Sequence, residues 1–201
     1  MATATPTRSP VFNLPNQLTA SRFVLGIVLF VLIELRDVFD VWLWCAAIFA
    51  LAAATDWLDG YLARKLQLGS TLGRNLDPLV DKVVICGAYI FLLPLGPEGP
   101  KSSGLVPWMV TVVVARELII TGLRGYLENL GAIFGADWLG KLKMGLQCAA
   151  LFAIFAALQW PQQPLYVVRD VLIYAMLAAT TLSGLQYLWK AVTLLRSNTY
   201  S

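Results

Sequence analysis

The sequence contains no histidine, and only 13% of its 201 residues are charged. The commonest acid–base group and the imidazole metal ligand are therefore excluded, so proton transfer or metal binding would fall to carboxylates and amines. Cysteine is also scarce, because Cys45, Cys86 and Cys148 stand far apart in apolar runs. Three separated thiols indicate neither a disulfide framework nor a zinc site.

Apolar residues are abundant instead, at 58% of the chain, a proportion typical of a protein that resides in a bilayer. A membrane-spanning helix needs about 20 mostly apolar residues. Six stretches of roughly that length predict an all-α integral membrane protein with six transmembrane helices. These stretches are Gln17 to Leu35, Val41 to Lys65, Asn75 to Leu95, Val106 to Asn129, Trp138 to Leu158 and Leu165 to Val192.

The ends of the chain suggest one membrane domain behind a short tail. Residues 1–12 are polar and interrupted by prolines, so we expect a flexible cytoplasmic tail there. Residues 13–201 hold all six predicted helices and form a single predicted membrane-embedded domain. We expect no function from residues 1–10.

Basic residues predict the orientation in the membrane, since short cytoplasmic segments are enriched in Lys and Arg. With the amino terminus in the cytoplasm, only Arg36, Lys101 and Arg169 of the 15 basic residues fall on the far side. Both termini are then cytoplasmic. The net charge of +3 favours anionic lipid headgroups as partners and gives no sign of nucleic-acid binding.

The segment from Thr55 to Lys82 places four aspartates at or near the ends of two predicted spans. A carboxylate at membrane depth is costly and indicates a functional site. On one helix, the spacing predicts a shared face for five residues, and on the next helix for three more. These sets are Asp56, Asp59, Gly60, Ala63 and Arg64, then Gly73, Asp77 and Asp81.

The second of these helices is predicted to begin after a loop with Gly69, Ser70 and Gly73, so that Pro78 falls in its first turn. Two antiparallel helices joined in this way can direct four carboxylates into one space. Four like charges repel unless cations lie between them, and oxygen ligands suit Mg²⁺ or Mn²⁺. The pattern therefore favours two divalent ions that clamp an in-line phosphoryl displacement.

The same residues meet the pattern D-x-x-D-G-x-x-A-R, eight residues, G-x-x-x-D-x-x-x-D, and in this the chain resembles the CDP-alcohol phosphotransferase family. The resemblance implies a six-helix homodimer whose active site opens to the cytoplasm. It also implies that Asp56, Asp59 and Asp77 ligate the metals, while Asp81 is both a ligand and the general base.

The CDP-lipid would be bound on the same face. Gly60 and Ala63 have small side chains and leave room for the nucleotide. We assign the neighbouring signature residues to the same CDP-lipid site, namely Asp56, Asp59, Arg64 and Gly73. Asn16 and Thr19, with Arg22, are three residues apart on the first helix and could line the nucleotide side. Helix capping is an equal explanation for Asn16 and Thr19, and Arg64 could extend to the membrane surface instead.

Three further segments, NLPNQLTASR, ARELIITGLRGYLENLG and WLGKLKMGLQ, resemble the bacterial phosphatidylglycerophosphate synthase branch of that family, so that the resemblance extends from Asn13 to Tyr187. This resemblance implies CDP-diacylglycerol and sn-glycerol 3-phosphate as substrates, with release of CMP, in the bacterial cytoplasmic membrane. A phosphorylated acceptor needs cationic partners. We assign Arg116, Arg124, Lys141 and Lys143 to its phosphate.

Other interpretations remain open. The aspartates could face water without a ligand, and the basic residues could only anchor the protein at the membrane surface. The same chemistry could use another acceptor, such as inositol phosphate, serine or a neutral alcohol. An ion transporter or a purely structural membrane protein is a further alternative, although the sequence has no inverted repeat, and a structural role leaves four costly carboxylates unexplained.

Overall fold

The structure is a computed structural model that describes residues 14–38, 40–66, 71–99, 101–129 and 138–198. Side chains are described for residues 17, 19–38, 40–55, 79–99, 101–127 and 138–193. The predicted tail, residues 1–12, lies outside these ranges. The helices of the described chain are α1 (Leu14–Glu34), α2 (Trp42–Leu66), α3 (Thr71–Leu92), α4 (Pro107–Asn129), α5 (Trp138–Gln159) and α6 (Gln163–Asn198).

The all-helical prediction is confirmed, because each predicted apolar stretch overlaps one helix and no strand occurs in the described ranges. Two helical segments, Trp138–Gln159 and Gln163–Thr193, are long and apolar enough to cross a membrane by length and composition. Trp42–Thr55 is a shorter apolar helical stretch. The presence of six transmembrane spans therefore stays a prediction.

Helix α3 begins earlier than the sequence suggested. The predicted loop position of Gly73 and first-turn position of Pro78 were wrong, because the helix starts at Thr71 and contains both residues. A single glycine costs a helix only about 1 kcal/mol, which does not oblige the helix to end. Pro78 cannot donate a hydrogen bond to the carbonyl four residues before it, a defect that membrane helices tolerate when other groups satisfy that carbonyl.

The chain divides into two compact units, Met1–Gly87 and Ala88–Ser201. In the first unit, α1 packs along α2. The core of this unit is apolar, since Leu29, Ile33, Cys45 and Phe49 are buried.

In the second unit, α6 packs against both α5 and α4. Ile154, Phe155 and Met176 are fully buried among these helices. Tyr89 is buried as well, and its hydroxyl donates a hydrogen bond to the Gln147 carbonyl over 2.9 Å. The buried face of α5 thus carries both apolar side chains and an anchored polar position.

Arg169 of α6 holds the connection between α3 and α4 in place. Its Nη1 donates to the Ser102 carbonyl over 2.6 Å, and its Nε donates to Asp170 Oδ1 over 2.8 Å. Gly104 has φ +76°, and a Cβ there would lie 2.7 Å from Arg169 Nε. Only glycine suits this position, because both the backbone conformation and the close approach of the guanidinium exclude a side chain.

We expect Gly26→Ala to destabilise the first unit. A Cβ at Gly26 would lie 2.7 Å from Val84 Cγ2, and such overpacking costs about 1–3 kcal/mol. Gly122→Ala is the matched control, because within the described chain nothing lies within 4 Å of a Cβ added there. Thermal unfolding in detergent should show a lower Tm for Gly26→Ala only; an unchanged Tm would contradict the close approach of Gly26 to Val84.

Candidate active site

The signature residues lie on two helices of the first unit. α2 contains Asp56, Asp59, Gly60, Ala63 and Arg64, and α3 contains Gly73, Asp77 and Asp81. A helical backbone places residues three and four positions apart on the same side, so the predicted faces are consistent with both helices. The side chains of Asp56, Asp59, Ala63, Arg64 and Asp77, like the surroundings of Gly60 and Gly73, lie outside the described residues. Their convergence stays a prediction.

Asp81 is the signature carboxylate whose surroundings the structure describes. Arg22 of α1 donates from Nη1 to Asp81 Oδ1 over 2.6 Å. The arginine side chain is 2% exposed and the aspartate side chain 21% exposed, so a buried cation holds a carboxylate that still reaches solvent. An ion pair with this little solvent screening restricts the orientation of the carboxylate.

The first helix reaches the aspartate signature through Arg22, which donates a hydrogen bond to Asp81. Whether Arg22 also lines the nucleotide side stays a prediction. Thr19, one turn earlier, is buried, and the side chain of Asn16 lies outside the described residues. The assignment of Asn16 and Thr19 to the CDP-lipid stays a prediction.

The donor chemistry fits a hard divalent cation. The ligands that the signature offers are all carboxylate oxygens, which Mg²⁺ and Mn²⁺ prefer. The Asp81 carboxylate is partly exposed, so an ion could reach it. Among the described residues, no group of three or more His, Cys, Asp or Glu side chains could hold a metal ion. The side chains of Asp56, Asp59 and Asp77 lie outside these residues.

A buried polar cluster lies in the second unit, and Glu117 of α4 is at its centre. Glu117 Oε1 accepts a hydrogen bond from Lys143 Nζ and lies 3.4 Å from Gln147 Nε2, both on α5. Arg116 Nη1 donates to the same oxygen over 3.3 Å, and Arg116 Nη2 donates to Ser183 Oγ of α6 over 3.0 Å. Arg116, Glu117, Lys143, Gln147 and Ser183 thus form one polar network across three helices, which we call the Glu117 cluster.

The other two predicted phosphate-binding cations are placed differently. Arg124 Nε donates to the Tyr187 hydroxyl over 2.9 Å, and its guanidinium lies 5.4 Å from the ring centroid. Tyr187 is one helical turn beyond Ser183, so α6 orients both arginines. Lys141 is exposed.

Glu117 adjoins Arg116 in the chain, and the sequence left open whether the two form an ion pair. The structure shows that they do, over 3.3 Å. Arg22 offered a signal that the sequence analysis missed, since a buried cation needs an anionic partner. Nothing in the sequence distinguishes Ser183 or Tyr187 from other polar residues of α6, because their contacts come from helices far away in the chain.

The described chain is all-helical, and its apolar helices, together with the lipid-synthesis relatives given below, indicate the class of helical membrane proteins. The sequence model of the CDP-alcohol phosphatidyltransferase family matches residues 12–194. The chain belongs to the CDP-alcohol phosphatidyltransferase family. The resemblance inferred from the aspartate signature is thereby confirmed.

Curated relatives extend over most of the chain. A Bacillus subtilis (strain 168) protein named CDP-diacylglycerol–glycerol-3-phosphate 3-phosphatidyltransferase is 34% identical over 200 residues, covering 90% of this chain and 98% of the relative. Proteins of the same name from Pectobacterium atrosepticum and Yersinia enterocolitica are each 34% identical. These alignments cover 88% and 89% of this chain, with 93% and 96% of the respective relatives.

Proposed function

We propose that this protein transfers the phosphatidyl group of CDP-diacylglycerol to sn-glycerol 3-phosphate, forming phosphatidylglycerophosphate and CMP. The observation that carries the proposal is the 34% identity to the Bacillus subtilis relative over 90% of the chain, because that relative is named for this reaction. The Glu117 cluster gives independent support, since a buried lysine and a partly buried arginine around one carboxylate suit an acceptor that carries a phosphate.

The four signature aspartates, Asp56, Asp59, Asp77 and Asp81, would hold two divalent ions, Mg²⁺ or Mn²⁺. Divalent metals are general in this family. When bound, such ions neutralise the pyrophosphate and lower the pKa of a coordinated hydroxyl. Gly60 and Ala63 leave space beside the helix backbone for the nucleotide, and Arg64 and Gly73 complete that face of the CDP-lipid site with Asn16 and Thr19.

The acceptor is held by its phosphate and reacts through its primary hydroxyl. Arg116, Arg124 and Lys143 bind the phosphate, and Lys141 adds positive charge near the membrane surface. Asp81 accepts the hydroxyl proton, and Arg22 keeps that carboxylate in one orientation. The hydroxyl oxygen forms a bond to the β-phosphorus as the bond from that phosphorus to the CMP oxygen breaks, and CMP leaves with the bonding electron pair.

The membrane arrangement belongs to the same proposal. Six transmembrane helices with both termini in the cytoplasm are supported by the six apolar stretches and by the excess of basic residues on that side. The protein would then lie in the bacterial inner membrane with its active site open to the cytoplasm, where glycerol 3-phosphate is soluble. A homodimer is supported by the family resemblance.

Release of CMP by the detergent-purified protein tests the proposal. The assay supplies CDP-diacylglycerol with glycerol 3-phosphate, inositol phosphate, serine or no acceptor, each with Mg²⁺ or with EDTA. We expect CMP only with glycerol 3-phosphate and metal. Release with a different acceptor would overturn the substrate assignment and leave the metal chemistry intact, whereas no release under any condition would overturn the enzymatic function.

A further inference from the structure

A single carboxylate, Glu117, organises the buried basic cluster of the second unit. Its side chain is 5% exposed, and one of its oxygens lies within hydrogen-bond or ion-pair distance of Arg116, Lys143 and Gln147. Lys143 is also buried, at 7% exposure. Ionised side chains at this depth persist only when they are paired and hydrogen-bonded.

In the Glu117 cluster, one carboxylate faces both an ammonium and a guanidinium. Arg116 Nε is buried and has no hydrogen-bond partner among the described residues, although Nη1 and Nη2 of the same guanidinium are both bonded. A buried N–H with no acceptor is costly and would be satisfied by an incoming anion.

Glu117 offsets the electrostatic repulsion between Arg116 and Lys143. Without an anion between them, Arg116 and Lys143 would repel each other and turn apart. With Glu117 in place, both side chains are oriented before the acceptor arrives. Preorganised cations of this kind bind a phosphate without further cost for ordering the side chains.

We propose that Glu117 is a positioning residue for the acceptor phosphate, and that it directs the enzyme towards phosphate monoesters over uncharged alcohols. The inference rests on the proposed function, because it concerns the acceptor of that reaction. Glu117 acts through Arg116 and Lys143, which contact the phosphate, while Ser183 and Gln147 keep the cluster in its arrangement.

The test is the effect of Glu117→Gln on the two KM values. Glutamine keeps the size and one acceptor oxygen but removes the charge. We expect the KM for glycerol 3-phosphate to rise about tenfold or more, since an uncompensated buried charge is a large perturbation, while the KM for CDP-diacylglycerol stays unchanged. Glu117→Asp, which restores the charge on a shorter side chain, should recover part of the loss.

Asp170→Asn is the matched control. Asp170 is paired with Arg169 in the same unit and is 49% exposed, so the substitution makes the same chemical change outside the Glu117 cluster. We expect both KM values of this variant to equal those of the wild type. An increase in both KM values of Glu117→Gln, or a lower Tm with neither KM changed, would show a merely structural role and overturn the inference.

A binding measurement separates the inference from the proposed function. Inorganic phosphate and glycerol 3-phosphate should each raise the Tm of the wild type and of Asp170→Asn, but not that of Glu117→Gln. If the wild type releases no CMP, the proposed function fails, and the phosphate-dependent Tm alone decides the inference. Equal stabilisation of the wild type and Glu117→Gln by phosphate would overturn it.

Discussion

Asp77→Asn is expected to abolish CMP release, with a loss of about 10³-fold or more in kcat/KM, because a neutral amide replaces a carboxylate that we propose as a ligand of the two divalent ions. The substitution preserves size, so we expect the folded protein to remain. The residual rate should respond less steeply to added Mg²⁺ than the wild-type rate does. A Mg²⁺ titration of CMP release from purified protein measures both effects.

The matched control for this variant is Asp37→Asn, which makes the same chemical change at an exposed position of the first unit, after the end of α1. It should retain wild-type activity and the wild-type response to Mg²⁺. Wild-type activity in a correctly folded Asp77→Asn protein would contradict the assignment of Asp77 to the metal site.

Arg22→Leu should both destabilise the protein and lower its activity. Removing the arginine leaves Asp81 without the cation 2.6 Å away, and breaking a buried ion pair typically costs about 3–5 kcal/mol. The Asp81 carboxylate would also lose a contact that orients it, so we expect a larger change in kcat than in the KM for either substrate. Arg22→Lys, which retains the charge, should recover part of both losses.

Arg36→Leu is the control for Arg22→Leu, because it removes a surface ion pair instead of a buried one. Arg36 pairs with Glu34 over 3.7 Å, and that glutamate side chain is 71% exposed, so its ion pair contributes about 1 kcal/mol or less. Thermal unfolding in detergent and CMP release compare the two variants directly. Equal Tm values and equal rates for Arg22→Leu and Arg36→Leu would show that the contact with Asp81 has no special role.

The helices were largely predictable because helix formation follows local pattern. Every apolar stretch overlaps a helix, and α4 begins at Pro107, a residue type favoured at a helix start. The predicted start of α3 was wrong, because neither Gly73 nor Pro78 prevents a helix from beginning at Thr71. The six membrane crossings were not confirmed, since by length and composition only two of the described segments have that character.

The candidate site was predictable to the extent that it depends on spacing. The aspartate signature, from Asp56 to Asp81, is read directly from the chain and led to the family that the comparisons confirmed. The four basic residues could be proposed together for the acceptor phosphate, but most of their partners within the protein could not. The structure joins Arg116 to Lys143 through Glu117, joins Arg124 to Tyr187, and leaves Lys141 exposed.

By itself, the sequence determined that this protein is helical and apolar, and that four carboxylates recur on two successive helices. These properties depend on composition and on the helical period, which act over a few residues. Only the tertiary structure decided that Arg22 meets Asp81, 59 residues away, and that Glu117 meets Lys143, 26 residues away. Which buried charges become partners depends on how helices pack, because a cation removed from water must find its counter-ion in space and not along the chain.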